Sequence, residues 1–208
     1  MPDTMAKKYS YLALGDSYTI GESVNADENF PNQVTKMMAP AAVFETARII
    51  ARTGWTTDEL EAGIIAAQAA KPLLPSYDFV SLLIGVNNQY RGRSVDNYKS
   101  ELEELLRKAI NYAGGRADHV VVLSIPDWGV TPFALGRDRA QIAREIDAYN
   151  AANRQLAESY NIYYIDITPW TREAAADHSL LAGDGLHPSG KEYKRWAAAV
   201  TDFFRSKL

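Results

Sequence analysis

A serine near one end of this chain, and an aspartate and a histidine near the other, all lie in glycine-rich stretches. Ser17 lies in GDSYT (15–19), and Asp184 and His187 lie in DGLHP (184–188). A serine hydroxyl is a poor nucleophile until a base takes its proton, and an imidazole held by a carboxylate is such a base near neutral pH. Asp184 and His187 stand three positions apart in a Gly/Pro-rich turn, so the carboxylate can orient the ring without a distant element. The order Ser…Asp…His is one that acyl-transfer triads take. Acyl transfer also needs donors for an oxyanion, and two interior segments offer them: ARTGWT with Gly54 and GVNNQY with Asn87. Each residue has a plainer reading alone. Asp16 or Ser17 is a helix N-cap, Gly54 a turn glycine, Asn87 a turn residue and His187 a loop histidine. Their joint occurrence after successive apolar runs favours the catalytic reading.

The elements that must position these residues are legible as alternating patterns. Apolar, β-branched runs at 9–14, 43–50, 79–84, 119–124 and 162–165 read as strands, and their lack of polar alternation suits parallel strands covered on both faces. Between them lie helical patterns. Thr56 and Glu59 form a capping box before Leu60 and Ile64. A stripe of Tyr98, Leu102, Leu105, Leu106 and Ala109 runs over 95–112 and stops at Gly114-Gly115. A further helix is expected over 138–159, and a last one from Ser189 with Glu192 as its capping partner. This rhythm predicts an α/β fold: a three-layer α/β/α sandwich with about five parallel strands in a doubly wound order. In such a sheet ligands bind beyond the carboxyl ends of the strands, where the candidate residues fall.

GDSYT, Gly54, GVNN (85–88) and DGLHP together resemble the four motif blocks of the SGNH/GDSL hydrolase family. The resemblance implies a flavodoxin-like sandwich and a carboxylic ester hydrolase working through an acyl-enzyme. Ser17 would be the nucleophile, His187 the general base and then acid, and Asp184 the group that orients it. The oxyanion hole would comprise the backbone N–H groups of Ser17 and Gly54 and the amide of Asn87. No cofactor and no metal are implied. A short-chain esterase is the first expectation. A carbohydrate acetylesterase, a lysophospholipase or a thioesterase are alternatives on the same motifs, and a non-catalytic binding module on the same fold is the alternative of another class. Asn88 stands where the family usually has aspartate, which predicts altered local hydrogen bonding. The G-x-S-x-G elbow of α/β-hydrolases is absent, because Thr19 occupies its second glycine.

Composition narrows the partners. The formal charge of −4 gives no basic face for nucleic acid; the paired Arg91/Arg93 and Arg137/Arg139 read as solvated flanks. The absence of cysteine excludes disulfides and thiolate chemistry. No apolar run reaches membrane-spanning length. Residues 1–8 carry no hydrophobic leader and are expected to be disordered or an artificial extension; the single domain then fills 1–208, either cytoplasmic or secreted with its signal removed. Asp177 and His178 precede the last motif without any standard zinc spacing. Trp55, Asn88, Tyr90, Trp128 and Phe133 are the expected substrate contacts, with Trp170 a further aromatic beside the strand ends. The expected substrate is a small-molecule, carbohydrate or lipid ester; the oligomeric state is open.

Overall fold

Apolar runs of this kind can satisfy their backbone groups only by pairing with one another, and they do so in parallel. The computed structural model describes residues 8–208. In chain order it contains β1 (Lys8–Tyr9), β2 (Tyr11–Asp16), α1 (Ser17–Ile20), α2 (Phe30–Met38), β3 (Val43–Phe44), β4 (Arg48–Arg52) and α3 (Thr57–Ala70). These are followed by β5 (Phe79–Leu83), α4 (Val86–Tyr90), α5 (Val95–Tyr112), β6 (Val120–Leu123), α6 (Arg139–Ser159), β7 (Tyr163–Ile165), α7 (Thr168–Arg172) and α8 (Gly190–Arg205). The main sheet has five strands in the order β4-β2-β5-β6-β7, all parallel. Counting these five along the chain, this is the flavodoxin-like order 2-1-3-4-5, and the expected α/β sandwich is the observed fold.

Helices cover both faces. α2 packs on α8, while α5 packs between α3 and α6. The layer under α8 is aromatic: the Phe204 ring stacks 4.1 Å from Phe79 and meets Tyr11 edge-on at 5.0 Å. Tyr11, Phe79, Phe204 and Trp196 are all essentially inaccessible, and each such side chain contributes about 1.5–3 kcal/mol or more by leaving water. On the other side the stripe Leu102, Leu105, Leu106 and Ala109 is fully buried, as its spacing predicts.

Two expectations are corrected, and one helix is added. The run at 43–50 is two strands, because Val43–Phe44 pairs with β1 in a separate two-stranded sheet before the chain enters β4. Glu45 and Ala47 between them are poor strand formers, and the Glu45 N–H donates to the Tyr9 carbonyl at 2.9 Å as the last bond of the β1–β3 pairing. Lys8, counted with the terminal extension, is the first residue of β1 and pairs with Val43; the rest of that extension, residues 1–7, lies outside the described residues. The helix α2, unmarked in the sequence reading, is capped by Asn29, whose side chain accepts the Asn32 N–H.

Candidate active site

β2 is the central strand carrying the first motif, and its last residue, Asp16, doubles as N-cap of α1, accepting the Tyr18 N–H at 3.0 Å. The turn from strand to helix is so tight that a Cβ on Gly15 would lie 2.1 Å from Thr19 Oγ1 and 2.5 Å from the Leu83 carbonyl. Only glycine fits there, and Gly15→Ala is expected to lower the thermal midpoint by several degrees, as read by circular dichroism. Ser17 is therefore presented on the first helical position, where its N–H has no intrahelical acceptor.

The last motif reaches Ser17 from across the molecule. His187 Nε2 lies 2.9 Å from Ser17 Oγ, and its Nδ1 lies 2.6 Å from Asp184 Oδ2. The turn 184–188 holds this geometry itself: Asp184 Oδ1 accepts the N–H groups of both Leu186 and His187 at 3.0 Å. Ser23 adds its hydroxyl to Asp184 Oδ2 at 2.8 Å. Partial burial pushes the Asp184 carboxyl up, but the imidazole, the two N–H groups and the Ser23 hydroxyl outweigh it and hold the pKa at about 2. Asp184 thus stays ionised throughout the neutral range. The His187 ring is buried and packs 4.9 Å from the Tyr18 ring.

The other two strand ends converge on the same corner. Asn87, in α4 after β5, donates its Nδ2 to the Trp55 carbonyl at 3.0 Å and to Asp16 Oδ2 at 3.3 Å. Gly54, after β4, has φ of +82°, a conformation that favours glycine. Its carbonyl accepts Arg91 Nη2 at 2.7 Å, and Arg91 also pairs with Glu59 of the α3 capping box at 3.1 Å. Asp16 is fully buried, and burial raises its carboxyl to about 7 against the stabilising bonds from Tyr18 and Asn87.

Ser17, Asn87 and His187 share a cleft of about 120 Å³ with Tyr18, Val86, Tyr90, Trp128, Phe133 and Leu186. Of the expected substrate contacts, Tyr90, Trp128 and Phe133 line it; Tyr90 and Trp128 meet edge-on at 5.2 Å. Two others do not. Asn88 is fully buried and spends its amide on Thr57, accepting its N–H at 3.1 Å and donating to its hydroxyl at 2.6 Å. It ties α4 to the start of α3. Trp55 lays its indole against Gly63 of α3, where a Cβ would collide with the ring. Trp170 faces a different groove, on the β7 side of the sheet.

A family model for the GDSL-like lipase/acylhydrolase family matches residues 13–195. The chain belongs to this family. As a GDSL-like acylhydrolase it is a hydrolase acting on esters. A search of curated protein sequences finds no match. Among solved structures, the acylhydrolase is similar to the psychrotrophic esterase EstA from Pseudoalteromonas sp., inhibited by monoethylphosphonate, with TM-score 0.70 and 17% identity over 96% of this chain and 98% of that one. It is similar to a member of the lipolytic G-D-S-L family from Veillonella parvula, with TM-score 0.73 and 17% identity over 97% and 100%. It is similar also to Axe2, an acetylxylan esterase from Geobacillus stearothermophilus, with TM-score 0.70 and 20% identity over 94% of each chain. At these identities the likeness is one of fold. Among the described residues no helix of the acylhydrolase is long and apolar enough to cross a membrane.

Three residues of the site escaped the sequence reading. Ser23 has no motif around it and reaches Asp184 only through a positive φ of 64°. Leu186 lies inside the last motif, between Asp184 and His187, yet its position on the cleft wall depends on the fold of the turn. Arg91 has the sequence signature of a solvated flank, yet it holds the Gly54 carbonyl.

Proposed function

We propose that this acylhydrolase cleaves short-chain carboxylic esters through an acyl-enzyme on Ser17. The observation that carries this reading is the unbroken run Ser17 Oγ–His187 Nε2 at 2.9 Å and His187 Nδ1–Asp184 Oδ2 at 2.6 Å. Ser17 Oγ attacks the ester carbonyl while its proton passes to His187 Nε2, and Asp184 holds the resulting imidazolium. The tetrahedral oxyanion is met by the Ser17 and Gly54 N–H groups and by Asn87. Of the two bonds from Asn87 Nδ2, the 3.3 Å bond to Asp16 is the weaker, and the oxyanion takes its place. His187 returns its proton to the leaving alcohol. It then takes one from water, whose oxygen attacks the acyl carbonyl and frees the acid and Ser17.

Labelling of Ser17 by a fluorophosphonate, read by peptide mass mapping, tests the nucleophile; an unlabelled Ser17 in active protein overturns it. Asn87→Ala is expected to cost about 3 kcal/mol of transition-state stabilisation, seen in kcat. A change confined to KM would remove Asn87 from the oxyanion hole.

The cleft of about 120 Å³ beside Ser17 is small and walled by Tyr18, Val86, Trp128, Phe133 and Leu186, which suits a short acyl group such as acetyl or propionyl. Tyr18, Trp128 and Leu186 also face a second void of about 20 Å³ behind the cleft. Leu186→Ala joins the two spaces. Two further buried methylenes at about 0.8 kcal/mol each are worth roughly tenfold, so the hexanoate-to-acetate ratio of kcat/KM is expected to rise on the order of tenfold.

A further inference from the structure

Beyond Tyr90 and Trp128, which form one wall of the catalytic cleft, lies a second recess of about 260 Å³ on the α6 side. The same two rings line both spaces, which therefore adjoin at Tyr90 and Trp128. Their chemistry differs. The cleft is mostly apolar, whereas the recess presents Gln89, Arg137, Asp138, Gln141 and Glu145 around the aromatic wall.

These groups are held in place. Trp128 Nε1 donates to Gln89 Oε1 at 2.7 Å, Gln89 Nε2 donates to Glu145 Oε2 at 2.7 Å, and Gln141 Nε2 donates to Glu145 Oε1 at 2.8 Å. Asp138 caps α6 through the Gln141 N–H at 2.9 Å. Arg137 is the exception: its guanidinium lies 5.9 Å from the Tyr90 ring centroid, with no carboxylate paired to it among the described residues. Tyr90 itself is 45% exposed. The recess therefore offers fixed acceptors, a guanidinium with no carboxylate partner and a half-exposed aromatic ring within one wall.

Elimination by charge and desolvation leaves one kind of occupant. An anionic group would meet Arg137 but face two carboxylates. A cation would meet the carboxylates but face Arg137. An alkyl chain would strip water from all five polar side chains without replacing its hydrogen bonds. A neutral polyol satisfies both kinds of partner, because each hydroxyl donates and accepts. A sugar ring adds an apolar C–H face that stacks on an aromatic side chain.

We infer that the recess formed by Tyr90, Arg137, Gln141 and Glu145 seats a sugar ring, so that the alcohol half of the ester is a carbohydrate hydroxyl and the acyl half in the adjoining cleft is a short chain such as acetyl. This rests on the proposed ester hydrolysis at Ser17 and adds the identity of its alcohol. Hydrolysis of such a substrate transfers the acetyl carbonyl to Ser17 and then to water, releasing the free sugar hydroxyl and acetate.

The test compares acetylated methyl xyloside with ethyl acetate and octyl acetate, following acetate release by pH-stat. The wild-type protein is expected to favour the xyloside over ethyl acetate by at least tenfold in kcat/KM. Arg137→Ala and Gln141→Ala, both at exposed positions, are expected to lower that ratio at least fivefold each, with the loss chiefly in KM. A ratio near one in the wild type, a ratio unmoved by both substitutions, or a preference for octyl acetate overturns the sugar seat. Ser17→Ala is assayed alongside. Its inactivity on all three esters, with no xyloside preference in the wild type, removes the sugar seat alone. Its continued activity removes the catalytic reading beneath it.

Discussion

Ser17→Ala is expected to lose between roughly 10⁴- and 10⁶-fold in kcat on a p-nitrophenyl short-chain ester, and His187→Ala a comparable amount. The double substitution should cost little more than either alone, because the hydroxyl and the imidazole act as one unit when their atoms stand 2.9 Å apart. Both variants should keep their fold. Ser17 is a helix-start residue whose neighbour Asp16 makes the cap, so removing its hydroxyl leaves the cap bond to Tyr18 in place. Single-turnover hydrolysis and circular dichroism together check this. Activity surviving in Ser17→Ala would require another nucleophile.

The second large effect lies one residue earlier. Asp16 is fully buried and its carboxyl titrates at about 7 in the folded chain, against an ordinary value of 3.8. The sign follows from proton counting. Between these two pH values the folded chain keeps a proton that the unfolded chain has lost, so unfolding releases a proton and stability falls as pH rises. Most of that loss falls between pH 4 and 7, and above it the native state carries a buried, ionised Asp16. At 1.36 kcal/mol per tenfold, the full difference is on the order of 4 kcal/mol. Glu192, raised by its own burial, acts in the same direction, while Asp58, Asp177 and Asp184 at about 2 add stability that is already complete above about pH 5. Asp16→Asn should therefore flatten the decline of the urea midpoint between pH 5 and 8 and raise stability at pH 8. It should also lower kcat, since an amide at position 16 offers Asn87 a donor in place of an acceptor. A decline as steep in Asp16→Asn as in the wild type would assign the pH dependence elsewhere.

The fold was largely legible because parallel strands buried on both faces must be apolar throughout, and the helices between them carry caps and stripes that point only one way. The candidate residues were legible because Ser17, Gly54 and Asn87 follow strand ends, and Asp184 and His187 announce each other by spacing. What escaped reading depends on tertiary contact. Trp55 and Tyr90 are both aromatic residues beside glycine-rich loops, but one is absorbed by the gap over Gly63 and the other is left open to solvent. Asn87 and Asn88 are adjacent and chemically identical. The helical turn sends one toward Asp16 and Trp55 and the other into Thr57. Neither difference is written in residue type. The break in the run at 43–50 is marked by Glu45 and Ala47, yet its meaning depended on β1 being present to pair with Val43 and Phe44.

The contact between Ser17 and His187 joins residues 170 positions apart. It closes a long loop, and such closures cost their entropy before the contact rewards it. The corner that holds Ser17 and the central strands can assemble from the first half of the chain, but His187 arrives only with the turn that leads into α8. Regained turnover during refolding therefore reports the docking of the last helix, and should lag behind the burial of the central strands. Until that turn is in place, Ser17 stands at the end of β2 with no imidazole beside it.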